Sequence, residues 1–420
     1  MRDPSPFYAE TSPPPPATPP LPGSRAVSVA IVGGGFTGLS AALHLAEAGV
    51  DVMVLESHTP GWGASGRNGG QVNPGLKHDP DTIERDFGAD LGARMNAFSG
   101  NAPNVVFDLI QRHQILCEAR QSGTLRTAQS RRANEALKVS AAQWQRRQTP
   151  VHAVDRQTIA SMTGTGRYLG AMLDERGGQI NPLGFARGLA AAAIAAGATV
   201  HGDTNVTRME KTGGVWRLDT RHGQVTAEKV ILATNGYTGD LVAQLRRTVM
   251  PVYSAIVASE AVPDDVMPTP ASLYETGAIT VYFRKNRDNR LLMGGRGVQR
   301  DVSGPEALSY LSDYARTLWP ALRGVRWTHG WNGQLAITPD HYPHIHAPDE
   351  SVLVCLGYNG RGVALGTAMG PELARRIVDP RDPAFAMPVT TMREIPFHGL
   401  WQSAVRARVV YGRIQAALGF

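Results

Sequence analysis

The sequence predicts an α/β protein of two interleaved parts, one on parallel βαβ structure and one, α+β in character, on an antiparallel sheet. Three observations carry this. Residues 27–32 (VSVAIV) are an apolar run that enters a glycine turn, a helical pattern and a second apolar run, the order of a βαβ unit. Residues 250–300 hold short runs of alternating character, the mark of antiparallel strands. Further glycine turns at 233–236 and 357–362 lie far along the chain from the first, so distant segments must converge on one place.

The elements follow in order. The first 22 residues contain nine prolines, which favour an extended, mobile tail over helix or sheet. This tail lacks the basic start and apolar core of a secretory signal and reads as a dispensable leader. A strand covers 27–32, a turn 33–38, and a helix 39–48 that stops at Gly49. A strand over 50–55 ends at Glu56. Residues 80–150 read as mainly helical, with long amphipathic stretches at 81–106 and 130–148, and 183–196 is an Ala-rich helix. Strands are predicted at 199–201, 206–209, 215–219 and 225–234, then at 252–259, 278–284 and 290–294. A helix over 305–318 has proline in its first turn and Pro320 just past its end. A strand at 351–356 leads through glycines to a helix over 362–378.

Composition narrows the function classes. The 420 residues carry 42 Lys and Arg against 36 Asp and Glu, a formal net charge of +6. The excess is spread in short Arg pairs without aromatic interleaving, which argues against a nucleic-acid partner. No apolar run approaches the roughly 18 residues of a membrane span, so no integral membrane contact is expected. Cys117 and Cys355 are the only cysteines. They exclude a disulfide scaffold, fit no metal spacing, and suit a reducing compartment, here read as cytoplasmic.

The first motif is Gly33-Gly34-Gly35-Phe36-Thr37-Gly38 between strand and helix, with Glu56 closing the next strand 18 positions beyond Gly38. In this context GxGxxG is a dinucleotide cradle of Rossmann type. Gly33 permits the turn, Gly35 lets the backbone approach a pyrophosphate, and Gly38 lets helix pack on strand. The N-terminal turn at Phe36 and Thr37 offers free N–H groups to phosphate. An acid at Glu56 suits ribose hydroxyls and disfavours a 2′-phosphate, leaving NAD and FAD undivided by this unit alone.

The second motif is residues 61–71, GWGASGRNGGQ, with five glycines in eleven positions. So many suit a loop wrapped closely on a polar planar ligand. With residues 29–42, 64–70 and 357–362 (GYNGRG), the chain resembles the D-amino-acid-oxidase-like superfamily of FAD-dependent amine oxidoreductases over about residues 26–380. Among its branches the γ-glutamylputrescine oxidoreductases and L-pipecolate oxidases look most alike. The resemblance implies a Rossmann-type FAD-binding domain interleaved with an antiparallel-sheet substrate domain. The division expected is a Pro-rich tail (1–24), an FAD-binding domain (25–80, 165–248 and 325–385), a substrate domain (81–164 and 249–324) and a C-terminal extension (386–420).

It also implies roles. The loop of Ser65, Arg67, Asn68, Gly69, Gly70 and Gln71 runs along pyrophosphate and flavin. Val206 gives backbone contacts to adenine, and Thr234 and Asn235 form a second dinucleotide-flanking turn. Gly360, Arg361 and Gly362 bring a helix N-terminus to the flavin pyrimidine ring, where reduced flavin carries negative charge. Neither cysteine stands at a tethering position of the family and the loop has no His, so non-covalent FAD is expected. Where sarcosine-oxidising relatives carry a basic residue this chain has Ala364, which argues against their carboxylate clamp.

The implied activity is oxidation of a C–N bond in a small amine or amino acid, of γ-glutamylputrescine-like or L-pipecolate-like kind, by hydride transfer to flavin. O2 or a quinone then takes the electrons. Such chemistry needs a held carbon and a few anchors more than an acid–base pair. Tyr253, Arg284 and Trp331 are the candidate catalytic and anchoring residues, with Tyr282 beside them; Arg284 suits bidentate capture of a substrate carboxylate. His341, His344 and His346 form HxxHxH, but Pro343 and the turn-like setting argue against a metal site. Two alternatives stay open: a non-catalytic flavin-binding module, and a pyridine-nucleotide-dependent flavin monooxygenase. The second wants another GxGxxG, which 294–297 (GGRG) does not complete.

Overall fold

The computed structural model describes residues 6–277, 280–403, 405 and 407. Two large sheets organise them. The first runs His344–Asp349, Val352–Leu356, Gly223–Leu232, Arg25–Val32, Val52–Leu55, Thr199–His201, with the hairpin of Val206–Thr212 and Val215–Thr220 attached to Gly223–Leu232. Its central neighbours are parallel, in registers such as Ile31↔Val54 and Ile31↔Ile231. Alternation along Arg25–Val32 explains its central place. Val29 and Ile31 enter the core beneath the helices, while Ala30 and Val32 enter a second core on the opposite face.

Helix Phe36–Glu47 buries ten of its twelve residues. Small side chains let it meet helix Gly362–Val378 closely: Ser40 Oγ donates to Thr367 O at 2.8 Å. Helices Ala89–Arg112 and Pro182–Ala195 complete that layer.

The second sheet runs Trp327–Ile337, Met250–Ala261, Arg290–Arg296, Tyr282–Lys285, Ser272–Glu275, Thr124–Ala128, Gly170–Asp174, Val151–Val154. It is antiparallel except where Ser272–Glu275 meets Thr124–Ala128. A two-residue pairing, Gln71–Val72 with Gly178–Gln179, stitches the glycine-rich loop between the sheets.

Several expectations change. The region 80–150 is not helix alone: Gly88, at φ +81°, separates Pro80–Phe87 from Ala89–Arg112, and Thr124–Ala128 is a strand. The strand expected at 278–284 begins at Tyr282; residues 278 and 279 lie outside the described residues. Strands Gly170–Asp174 and Trp327–Ile337 belong to the second sheet, whereas the sequence division put 165–174 and 325–337 in the dinucleotide domain. The C-terminal extension is described only in part. It follows the start of the second sheet, with Arg247 paired to Glu394 at 3.1 Å and His398 Nε2 to Val249 O at 2.8 Å.

The Pro-rich opening is the largest correction. Residues 6–22 are packed on the body, not a mobile tail. Pro6–Thr11 is a short helix whose Phe7 and Tyr8 are each 1% exposed. Phe7 stacks on Trp331 with centroids 5.8 Å apart, and Tyr8 meets the same indole edge-on. The prolines after the helix hold an extended strap. Its carbonyls accept from Arg187 at Pro13 (2.7 Å) and pair with His201 at Pro19 (2.9 Å). Composition gave the extended backbone correctly but hid the two aromatics that anchor it.

Candidate functional site

One cavity of about 1750 Å³ lies along the junction of the sheets. Drug-sized ligands occupy pockets of about 300–1,000 Å³, so this space suits a dinucleotide with room for a substrate.

The first turn builds one end. Gly33 has φ +109°, and a Cβ there would stand 2.9 Å from Ala233 O. A Cβ on Gly38 would lie 2.0 Å from Gly33 O, so only glycine lets the helix begin so near the turn. Gly33, Gly35, Phe36 and Thr37 line the cavity, while Gly38 lies behind the wall. Glu56 lines it too, with its carboxylate accepting the Gly34 N–H at 2.7 Å and the His58 N–H at 2.9 Å. The acid thus braces the turn as well as facing the cavity. Val206 lines the same end. Thr234 and Asn235 line it as well, and Asn235 Oδ1 accepts the Gly357 N–H at 2.9 Å, joining the second turn to the third.

The glycine-rich loop forms the middle wall. Ser65 Oγ accepts the Phe36 N–H at 3.0 Å, tying this loop to the first turn. Arg67 Nε donates to Trp62 O at 2.8 Å with its guanidinium over the Trp62 ring. Asn68 Nδ2 donates back to Ser65 O at 2.8 Å while its Oδ1 accepts the Gly70 N–H at 2.8 Å. Gln71 Nε2 donates to Leu273 O at 2.8 Å, crossing to the second sheet. Ser65, Arg67, Asn68, Gly69 and Gln71 face the cavity; Gly70 does not.

The far end is cationic. Helix Gly362–Val378 starts here, with Arg361 at its N-cap and no side chain capping its first N–H groups. Gly360, Arg361 and Gly362 all line the cavity. Arg361 Nη1 is held by the carbonyls of Pro74 and Gly75, and Nη2 donates to Tyr274 Oη at 3.0 Å. Lys77 and His341 complete this end. Lys77 lines the cavity with much of its surface exposed. Desolvation of its ammonium by the surrounding protein, and then the Arg361 and Arg126 guanidinium groups, lower its pKa to about 8. Burial and then Lys77 likewise lower His341. Among the described residues Lys77 has no carboxylate partner; Asp79 faces Arg126, and Asp340 faces His344 at 3.0 Å.

A further part of the lining comes from the second sheet. Tyr253, Ser254 and Tyr282 line it, with Ser254 Oγ and Tyr282 Oη 2.9 Å apart. Burial raises the phenols of both tyrosines above their usual range, so they stand neutral.

Two anchoring residues expected from sequence lie elsewhere. Arg284 is 3% exposed and off the cavity. Its nitrogens donate to Gly69 O (2.6 Å), Gln179 Oε1 (3.2 Å) and Tyr8 Oη (3.4 Å), so it organises the loop and offers no fork to a substrate. Trp331 is 3% exposed and donates Nε1–H to Arg67 O at 2.9 Å beneath the N-terminal helix. Strand alternation turns both inward. Of the three histidines only His341 is on the cavity, while His344 and His346 meet edge-on at 5.5 Å, with His346 Nδ1 against Thr390 O at 2.8 Å. Sequence reading missed Lys77 and Tyr274. Lys77 follows the glycine-rich loop by six positions, a signal that counting beyond Gln71 finds; Tyr274 carries none.

A glycine turn, an acid braced behind it and a helix N-terminus at the far end define a dinucleotide-binding fold. The family model for FAD-dependent oxidoreductases, DAO, matches residues 28–376. The chain belongs to this family and is an FAD-dependent oxidoreductase. Gamma-glutamylputrescine oxidoreductase of Escherichia coli K12 is 34% identical over 354 residues, 82% of each chain. A probable oxidoreductase OrdL of Rhizobium meliloti is 32% identical, covering 87% of this chain and 86% of that one. The crystal structure of glycine oxidase from Geobacillus kaustophilus superposes with a TM-score of 0.75 at 24% identity, over 88% of this chain and 99% of that one, which shows a shared fold. No helix among the described residues is long and apolar enough to cross a membrane.

Proposed function

We propose that this chain oxidises a C–N bond of a small amine or amino acid, with FAD held non-covalently in the cavity. The observation that carries the reading is that one cavity gathers two kinds of lining. A cationic end (Lys77, Arg361 and a helix N-terminus) faces the cavity that Tyr253, Ser254 and Tyr282 close from the second sheet. Bound FAD supplies a hydride acceptor.

The first turn, Glu56, Val206 and the Thr234-Asn235 turn would hold its adenosine and phosphates; residues 65–71 and 360–362 would hold its ring. Arg361, Lys77 and the helix dipole favour negative charge at their end of the cavity. Two neutral tyrosines suit the uncharged amine from which hydride leaves, since neither is a carboxylate that would keep it protonated. Cys117 and Cys355 are buried, off the cavity, and pushed up to about 12 by burial, which suits flavin without a thioether tether.

The substrate class proposed is γ-glutamylputrescine-like or L-pipecolate-like, supported by the 34% identity to the Escherichia coli enzyme. O2 or a quinone is the proposed acceptor. Product analysis tests this: incubation with γ-glutamylputrescine, L-pipecolate, putrescine and simple amino acids should give an imine or its hydrolysis product from one of them. No oxidised product from any amine, with either O2 or a quinone present, would refute it.

A further inference from the structure

Three consecutive carbonyls in the glycine-rich loop are each held by a side chain from outside the loop. Arg67 O accepts from Trp331 Nε1 at 2.9 Å, Asn68 O from Tyr8 Oη at 2.8 Å, and Gly69 O from Arg284 Nε at 2.6 Å. The donors form one cluster. Arg284 Nη2 donates to Tyr8 Oη, and Tyr8 packs edge-on against Trp331 at 5.2 Å. Two of them come from the second sheet. The third comes from the Pro-rich opening, a segment with no part in the dinucleotide cradle.

We propose that the N-terminal segment is a built part of the cofactor site and that Tyr8 is a positioning residue for the loop. A peptide unit is planar and trans, so its C=O and the following N–H point opposite ways. Fixing Asn68 O on Tyr8 therefore fixes the Gly69 N–H on the side away from Tyr8. Asn68 and Gly69 line the cavity and Tyr8 does not, so the donor is aimed at the cavity's occupant.

The loop needs such a hold from outside. Its glycines give it wide backbone freedom, and its own bonds, from Asn68, return to residues 64, 65 and 70 within the same loop. Tyr8 is anchored for the task. Phe7 stacks on Trp331 with the Arg290 guanidinium above its ring, and Thr11 Oγ1 accepts from Asn181 Nδ2 at 2.8 Å. Farther along, the Leu21 N–H donates to Thr204 Oγ1 at 3.1 Å, where the first sheet begins the adenosine end. The strap thus touches both sheets and fixes the loop between them.

The inference rests on FAD occupying this cavity, and the test separates the two. Full-length apo-protein is titrated with FAD, following flavin fluorescence, for wild type, Tyr8→Phe and Phe7→Leu. Tyr8→Phe keeps the ring and removes one hydrogen bond, so FAD affinity should fall about fivefold to tenfold. Amide hydrogen exchange across 67–70 should accelerate in the same variant. Phe7→Leu keeps the hydroxyl and loosens its anchor; its melting temperature should drop further than that of Tyr8→Phe, and its FAD affinity should fall by less than in Tyr8→Phe.

A purely structural strap would lower the melting temperature of Tyr8→Phe and leave affinity and loop exchange unchanged, which overturns the proposal. Should Tyr8→Phe not fold, Arg284→Lys probes the adjacent carbonyl: it should weaken FAD, and unchanged affinity there counts against the proposal as well. Wild type that does not bind FAD would instead undo the cofactor placement on which this rests.

Discussion

Lys77 shows how one cavity-lining charge can set a pH dependence. Its pKa near 8 arises first from removal of the ammonium from water and then from the Arg361 and Arg126 guanidinium groups. Below about 8 it is a cation at the positive end of the cavity; above, it is neutral. A simple carboxylate inhibitor carries no amine of its own to titrate. Its affinity for the holoenzyme should fall as pH rises through 8, and Lys77→Met should bind it weakly and flatten that dependence. Difference spectra of the flavin follow this, and an unaltered pH profile in Lys77→Met would exclude the residue.

The stability sign is the opposite one. Between about 8 and 10.5 the native lysine has lost its proton while the unfolded chain retains it, so stability should rise with pH across that window. Chemical denaturation at pH 7.5 and 10 tests this, with Lys77→Met lacking the rise. Cys117 and Cys355 make a second prediction at this scale. Both are buried away from the cavity, so acid precipitation should release all the flavin, and a pellet that stays yellow would show a covalent tether.

Among elements, the first turn is the most demanding. Gly38→Val puts a branched side chain where even a Cβ would meet the Gly33 carbonyl at 2.0 Å, a backbone contact that cannot swing aside. Gly35→Val forces a Cβ to 2.9 Å from Ser65 Oγ, which carries the link to the second motif. Both variants should purify colourless and fail to take up FAD, with losses beyond a hundredfold in affinity, read by flavin fluorescence. This element was legible in the sequence because its chemistry is local: strand, glycines, helix and acid sit within one short stretch.

Helix Gly362–Val378 was equally legible, from its glycine entry to its end. The strands of the second sheet were less so. Thr124–Ala128, Gly170–Asp174 and Ser272–Glu275 hold only four or five residues, and the pairings that make them strands join positions far apart in sequence. The buried settings of Arg284 and Trp331 were illegible for the same reason. Each has the chemistry of an anchor, but the partner that claims it lies in another segment. Tyr8 carries no local signal among nine prolines, because its partner is a carbonyl sixty positions away.

At the scale of the whole molecule, the site is a convergence. The turns near 33, 65, 235 and 360 come from separate stretches of the first sheet and its loops, and the second sheet supplies a further part of the lining. Each stretch is covalently distant from the others, so the cavity exists only when both sheets are formed. FAD that binds the folded cavity alone should stabilise the whole chain by mass action. Melting temperature should therefore rise steadily with FAD concentration in a single transition.

The central claim is that this cavity brings an amine's C–H to bound flavin, and anaerobic flavin bleaching tests it most directly. The purified yellow holoenzyme, free of oxygen, is mixed in turn with γ-glutamylputrescine, L-pipecolate, putrescine and simple amino acids, and its visible spectrum is followed. At least one should reduce the flavin fully within the mixing experiment, with colour returning when an acceptor is admitted. A spectrum that stays oxidised with every amine, while dithionite bleaches it at once, would contradict the account.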